Sequence, residues 1–165
     1  MLILKMLVTY SLLAFSINSH AAIIGKVIKV KGDASILEPR TTEAVQVKLN
    51  RVIKEDSSIL TKKGSLVIIK FKDKTRLVIG PRSKIVVQHV GKQEQGVVSL
   101  LKGKLRATVN KNKKGDIKFV VKSKTAAMGV RGTTFQATFN PDNNVTSLLT
   151  FNGEVAMVKK DKLEQ

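Results

Sequence analysis

Ala126-Ala127-Met128-Gly129-Val130-Arg131-Gly132-Thr133-Thr134-Phe135 sets one arginine between two nearby glycines and then runs straight into alternation. Phe135, Ala137 and Phe139 fall on one face, and Thr134, Gln136 and Thr138 on the other. That period of two marks a half-buried strand. Glycine permits backbone angles and close approaches that a Cβ resists. Gly129, Val130, Arg131, Gly132, Thr133, Thr134 and Phe135 therefore predict an architectural corner that presents one guanidinium and leads into a core strand. The fork of donors on Arg131 suits either a bound ligand or backbone carbonyls and a carboxylate, and of the two it is expected to pin that corner.

On either side of this stretch the same short alternating runs recur. They cover residues 23–31, 34–37, 45–49, 56–61, 66–71, 76–79, 84–90, 97–101, 104–109, 117–122, 133–139, 145–151 and 155–158. Turns bearing glycine, lysine or asparagine separate them at fairly even spacing, which is an all-β signature. The expectation is a solenoid-like or sandwich-like stack of short strands. Phe71, Phe119, Phe135, Phe139 and Phe151 all sit at apolar alternating positions and read as core.

The start of the chain is different. Lys5 precedes an apolar run over residues 6–17, followed by Ser19 and Ala21 as small residues before a cut. This is the pattern of a secretory signal peptide over residues 1–21, helical and too short for a bilayer span. The expected product is periplasmic or secreted, with no transmembrane anchor after cleavage. It comprises one β domain over residues 22–158 and a charged tail over 159–165. The chain has no cysteine, which excludes disulfides, thiolate metal sites and thiol nucleophiles.

Charge gives the main functional hint. The 165 residues carry 30 Lys+Arg against 12 Asp+Glu, a formal net charge of +18. Such an excess invites an anionic partner. Lys102, Lys104 and Arg106 alternate with Leu105 and Ala107, while Lys118 and Lys122 alternate with Phe119 and Val121. If these two segments pair as a hairpin, a basic face results, with Lys111, Lys113 and Lys114 at its tip. Aromatics are only 4% of the chain, too few to interleave with bases as single-strand nucleic-acid binders do. Catalytic and metal-binding arrangements are not evident. His89 is a lone strand histidine, and Glu55 and Asp56 are adjacent and would point oppositely in a strand. Asp142-Asn143-Asn144 lacks the ligand count of a calcium loop. The chain is expected not to be an enzyme and to need no cofactor or metal.

Several of these segments together resemble the FecR domain. They are Gly25-Lys26-Val27, Val30-Lys31-Gly32-Asp33-Ala34, Glu55 to Thr61, Gly64 to Asp73, Pro81 to Ile85, Leu101 to Ala107, Asn152-Gly153-Glu154-Val155 and, most specifically, Val130-Arg131-Gly132-Thr133-Thr134-Phe135. Glu55 and Lys74 stand where family members usually carry glycine. The resemblance implies an extracytoplasmic all-β domain of solenoid-like character. In the regulators that name the family, such a domain lies in the periplasm, beyond a cytoplasmic anti-sigma segment and a membrane helix. It relays a signal from an outer-membrane receptor. The sequence lacks that segment and helix, so the anti-sigma role is not expected here. What the resemblance implies for this chain is an exported binding or scaffold module of the bacterial envelope, acting through protein–protein contact with a link to signalling. The alternative is a cationic binder of an anionic envelope polymer: acidic polysaccharide, lipopolysaccharide or extracellular DNA. No small-molecule substrate is expected in either case.

Overall fold

The computed structural model describes residues 21–90, 95–111 and 116–160. The expected signal segment therefore lies almost wholly outside the described residues, as do Lys113, Lys114 and residues 161–165. The described residues are strands and turns with no α-helix, as the alternation requires. Among them, no helix is long and apolar enough to cross a membrane.

The strands are β1 (Ile23–Lys31), β2 (Ala34–Leu37), β3 (Val45–Gln46), β4 (Val52–Lys54), β5 (Ser57–Thr61), β6 (Leu66–Phe71) and β7 (Arg76–Ile79). They continue with β8 (Lys84–His89), β9 (Gly96–Thr108), β10 (Phe119–Lys122), β11 (Ala126–Val130), β12 (Thr134–Asn140), β13 (Val145–Asn152) and β14 (Val155–Lys159). Sheet I runs β4-β1-β6-β7-β9-β12-β13, and sheet II runs β3-β2-β5-β8-β9-β10-β11-β14. Strand β9 belongs to both: its first half pairs with β8 and its second with β7 and β12.

One apolar cluster fills the space between the sheets. It joins Val27, Ile69, Leu77, Leu105 and Phe135 of sheet I to Ile36, Ile59, Ile85, Leu100, Phe119 and Met128 of sheet II. Two sheets that bury their inner faces against each other make a sandwich-like stack. A solenoid would stack parallel strands, and among the described pairings only β9 with β10 is parallel.

The strands depart from the alternation in four places, one of them β4, a three-residue strand that none of the alternating runs covers. Residues 97–101 and 104–109 are one strand, because Gly103 at φ 87° bends the chain from sheet II to sheet I without ending it. Residues 45–49 are strand only at Val45–Gln46. Strand β11 gives no alternation to read, because its outward residues, Ala127 and Gly129, are not polar.

Phe71, Phe119, Phe135 and Phe139 are buried, but Phe151 is 49% exposed. It sits at a register shift opposite Thr134 and Phe135, in a strand whose outer side has no strand neighbour among the described residues.

Buried hydroxyls staple the turns between sheets. Thr61 Oγ1 donates to Gly80 O at 2.6 Å and accepts the Ser83 N–H at 3.0 Å, and Ser83 Oγ accepts the Lys104 N–H at 2.9 Å. At the β4–β5 turn, Glu55 Oε1 meets His89 Nδ1 of β8 at 2.5 Å.

The β6–β7 turn shows what the missing glycine does. Lys74 adopts φ 70°, the left-handed region that favours glycine. Asp73 holds this turn by accepting from Thr75 N at 2.8 Å and Thr75 Oγ1 at 2.6 Å. Lys74→Gly should therefore raise stability by about 0.5–1 kcal/mol, the relief of strain outweighing the added freedom of the unfolded chain. The denaturant midpoint should move up; a fall would show that Lys74 is not strained.

Candidate anion-binding face

Strands β1, β4, β6, β7, β9, β12 and β13 contain no aspartate or glutamate. Alternation sends their apolar residues inward and leaves the outward positions to other types. On sheet I those outward positions include Lys26, Lys29, Lys31, Lys70, Arg76, Lys104 and Arg106, all exposed. Among the described residues none of these has a carboxylate within ion-pair distance; the ion pairs formed are Arg51 and Lys54 with Glu38, Lys62 with Asp33, His89 with Glu55 and Lys118 with Asp73.

Register sharpens the feature. Lys26 lies opposite Lys70, and Lys70 opposite Arg76, so three cations form one row across adjacent strands. Strand spacing makes that row about 10 Å long. Like charges directly opposed destabilise a sheet, and an anion lying over the row would remove that cost. A second row holds Lys29, with Val78 opposite Arg106, Arg106 opposite Gln136 and Gln136 opposite Leu149. The Arg106 guanidinium lies 4.1 Å over the centre of the Phe151 ring, a cation–π contact that holds it flat on the sheet.

The predicted basic residues are dispersed. Lys104 and Arg106 are on this face. Lys102 is at the corner between the sheets, opposite Lys84 of β8. Lys122 ends β10 on sheet II, where with Lys124, Lys160, Leu101 and Pro141 it lines a groove of about 730 Å³. Lys118 is partly buried against the β6–β7 turn, its Nζ 3.4 Å from Asp73 O and 3.8 Å from Asp73 Oδ2. Lys111 is exposed beside Gly132. The expected hairpin between 104–109 and 117–122 does not form. The second half of β9 is already flanked by β7 and β12, so β10 pairs in parallel with the first half, Phe119 opposite Gly96 and Lys122 opposite Ser99.

Sequence reasoning missed Lys26, Lys29, Lys31, Lys70 and Arg76. The signal was the absence of acids from every one of these strands. Their alignment needs the cross-strand register, which no single segment carries.

At the glycine-flanked corner the chain leaves sheet II at Val130 and joins sheet I at Thr134. Gly132 takes φ 76°, and Arg131 is exposed. Buried Thr133 holds the turn: its Oγ1 donates to Glu154 O at 2.8 Å and its carbonyl accepts the Val109 N–H at 3.0 Å. Gly129 leaves room for Ile117, whose Cδ1 would lie 3.1 Å from an added Cβ.

A single carboxylate with two basic partners lies by the β4 edge. Glu38 accepts from Lys54 at 2.7 Å and also from Arg51. The bond from Lys54, then that from Arg51, hold its carboxyl below the usual carboxylate range against the opposing effect of burial. Lys62 is raised by its bond to Asp33.

No curated protein matches the chain. A solved structure described as a cell surface anchoring domain aligns at 28% identity over 38% of this chain and 82% of that one, with a TM-score of 0.36. The family model described as FecR protein matches residues 57–156, from the start of β5 into β14. That is more than half of the sequence, and it covers the glycine-flanked corner, the strand shared by both sheets and Arg106: this chain belongs to the FecR family.

Proposed function

We propose that this FecR-family chain is an exported binding module of the bacterial envelope that works by contact rather than covalent chemistry, with an anionic envelope component as its ligand. The observation that supports this most is the absence of acids from the strands of sheet I, with Lys26, Lys70 and Arg76 in one register row. Binding through such a face draws on charge neutralisation and counterion release, so it weakens as salt rises.

Placement separates a dedicated face from general basicity. The variant Lys70→Glu with Arg76→Glu and the variant Lys63→Glu with Lys124→Glu change net charge equally, at different places. Binding to a soluble polyuronate, or to vesicles bearing phosphate headgroups, should fall about tenfold or more in the first pair and about threefold or less in the second. Equal losses would mean that net charge alone drives binding.

A protein partner is the second reading. It is favoured by Met157 and Val158, 43% and 40% exposed on β14, whose outer edge has no strand neighbour among the described residues. Open edges and exposed apolar side chains suit strand addition. A complex made there should persist at a salt concentration that releases a polyanion.

A further inference from the structure

We propose that the anionic ligand of sheet I is the headgroup layer of a phospholipid membrane, on which the sheet lies flat; this rests on the anion-binding reading above. Two independent observations favour a surface over a linear polymer. The first is dimension. The row Lys26, Lys70 and Arg76 crosses the strands, while Lys104 and Arg106 add charge along β9, so the cations form a grid. A linear polyanion can cover one row at a time, whereas a layer of phosphates meets the whole grid together.

The second is an apolar margin on the same face. Outward Leu149 is 53% exposed and Phe151 49% exposed, the latter beneath Arg106. A hydrated acidic glycan gives a leucine nowhere to go. A bilayer supplies phosphate at one depth and acyl chain just beneath it, and an aromatic ring beside a cation suits that boundary.

The test is flotation of the full chain with phosphatidylcholine vesicles, with and without phosphatidylglycerol, beside a binding curve on soluble polyuronate. Residues 1–20 are common to every variant, so differences between variants report on the β domain. Wild type should bind the anionic vesicles and bind them more tightly than polyuronate. Lys70→Glu with Arg76→Glu should lose both ligands about tenfold or more. Leu149→Ser with Phe151→Ser should lose about tenfold on anionic vesicles and leave polyuronate binding unchanged. If the double serine variant unfolds, Leu149→Ser alone serves, its side chain being half in solvent. The chain has no tryptophan, so Phe151→Trp adds a lone reporter. Its emission should shift to the blue on anionic vesicles and be quenched by brominated acyl chains.

Serine variants that float like wild type, an unshifted emission from the Phe151→Trp variant, or polyuronate bound more tightly than vesicles would each overturn the membrane assignment and leave the anion-binding face standing. Failure of wild type to bind either probe at low salt would remove both readings.

Discussion

Phe135→Ala is expected to cost about 3–5 kcal/mol. The ring is fully buried, with β12 paired to β9 at Ala107 on one side and to β13 at Thr150 on the other. Alanine would leave a cavity that strands held on both sides cannot close. Against a total stability of about 5–15 kcal/mol, the unfolding transition should fall sharply. Phe151→Ala is the matched comparison. That ring is half in solvent and its removal forfeits mainly the contact with Arg106, about 1 kcal/mol or less. Similar losses for the two phenylalanines would contradict the packing described.

Gly103→Ala should cost about 3 kcal/mol, because strain and overpacking add. Its φ of 87° is strained for alanine, and the new methyl would lie 2.6 Å from Ser83 Cα and 2.7 Å from Arg82 O. Those are backbone atoms, and the hydroxyl staple of Thr61 and Ser83 holds them in place. Gly64 has a similar φ, 71°, with nothing within 4 Å of an added Cβ. Gly64→Ala should therefore show the conformational part alone, about 1 kcal/mol. Denaturant unfolding of both variants gives the two losses; equal values would mean that the corner yields.

Much of the fold was legible because alternation is local. Phe135, Ala137 and Phe139 announced their own strand and its buried side. What was not legible depends on neighbours. Phe151 has the same local pattern as Phe135, yet it is exposed, in a strand whose outer side has no strand neighbour among the described residues. Lys118 is basic and alternates with apolar residues, yet it turns to Asp73 of a distant turn. The basic face was legible only at Lys104 and Arg106. Its stronger row, Lys26, Lys70 and Arg76, comes from three segments that each look like an ordinary amphipathic strand. Only pairing shows that three ammonium and guanidinium groups face one another.

The shared strand β9 also has a kinetic consequence. With 13 residues divided between two sheets, it leaves neither sheet fully hydrogen-bonded until the other is under way. Its partners reach back to β7 and forward to β12, so most of the loops that must close are long. The entropy of closing them sets a slow folding rate, in the range of other non-local β topologies. The same linkage suppresses half-open states: a molecule that loses this strand loses both layers at once, and the edges of β9 itself are exposed to neighbouring chains only during global unfolding.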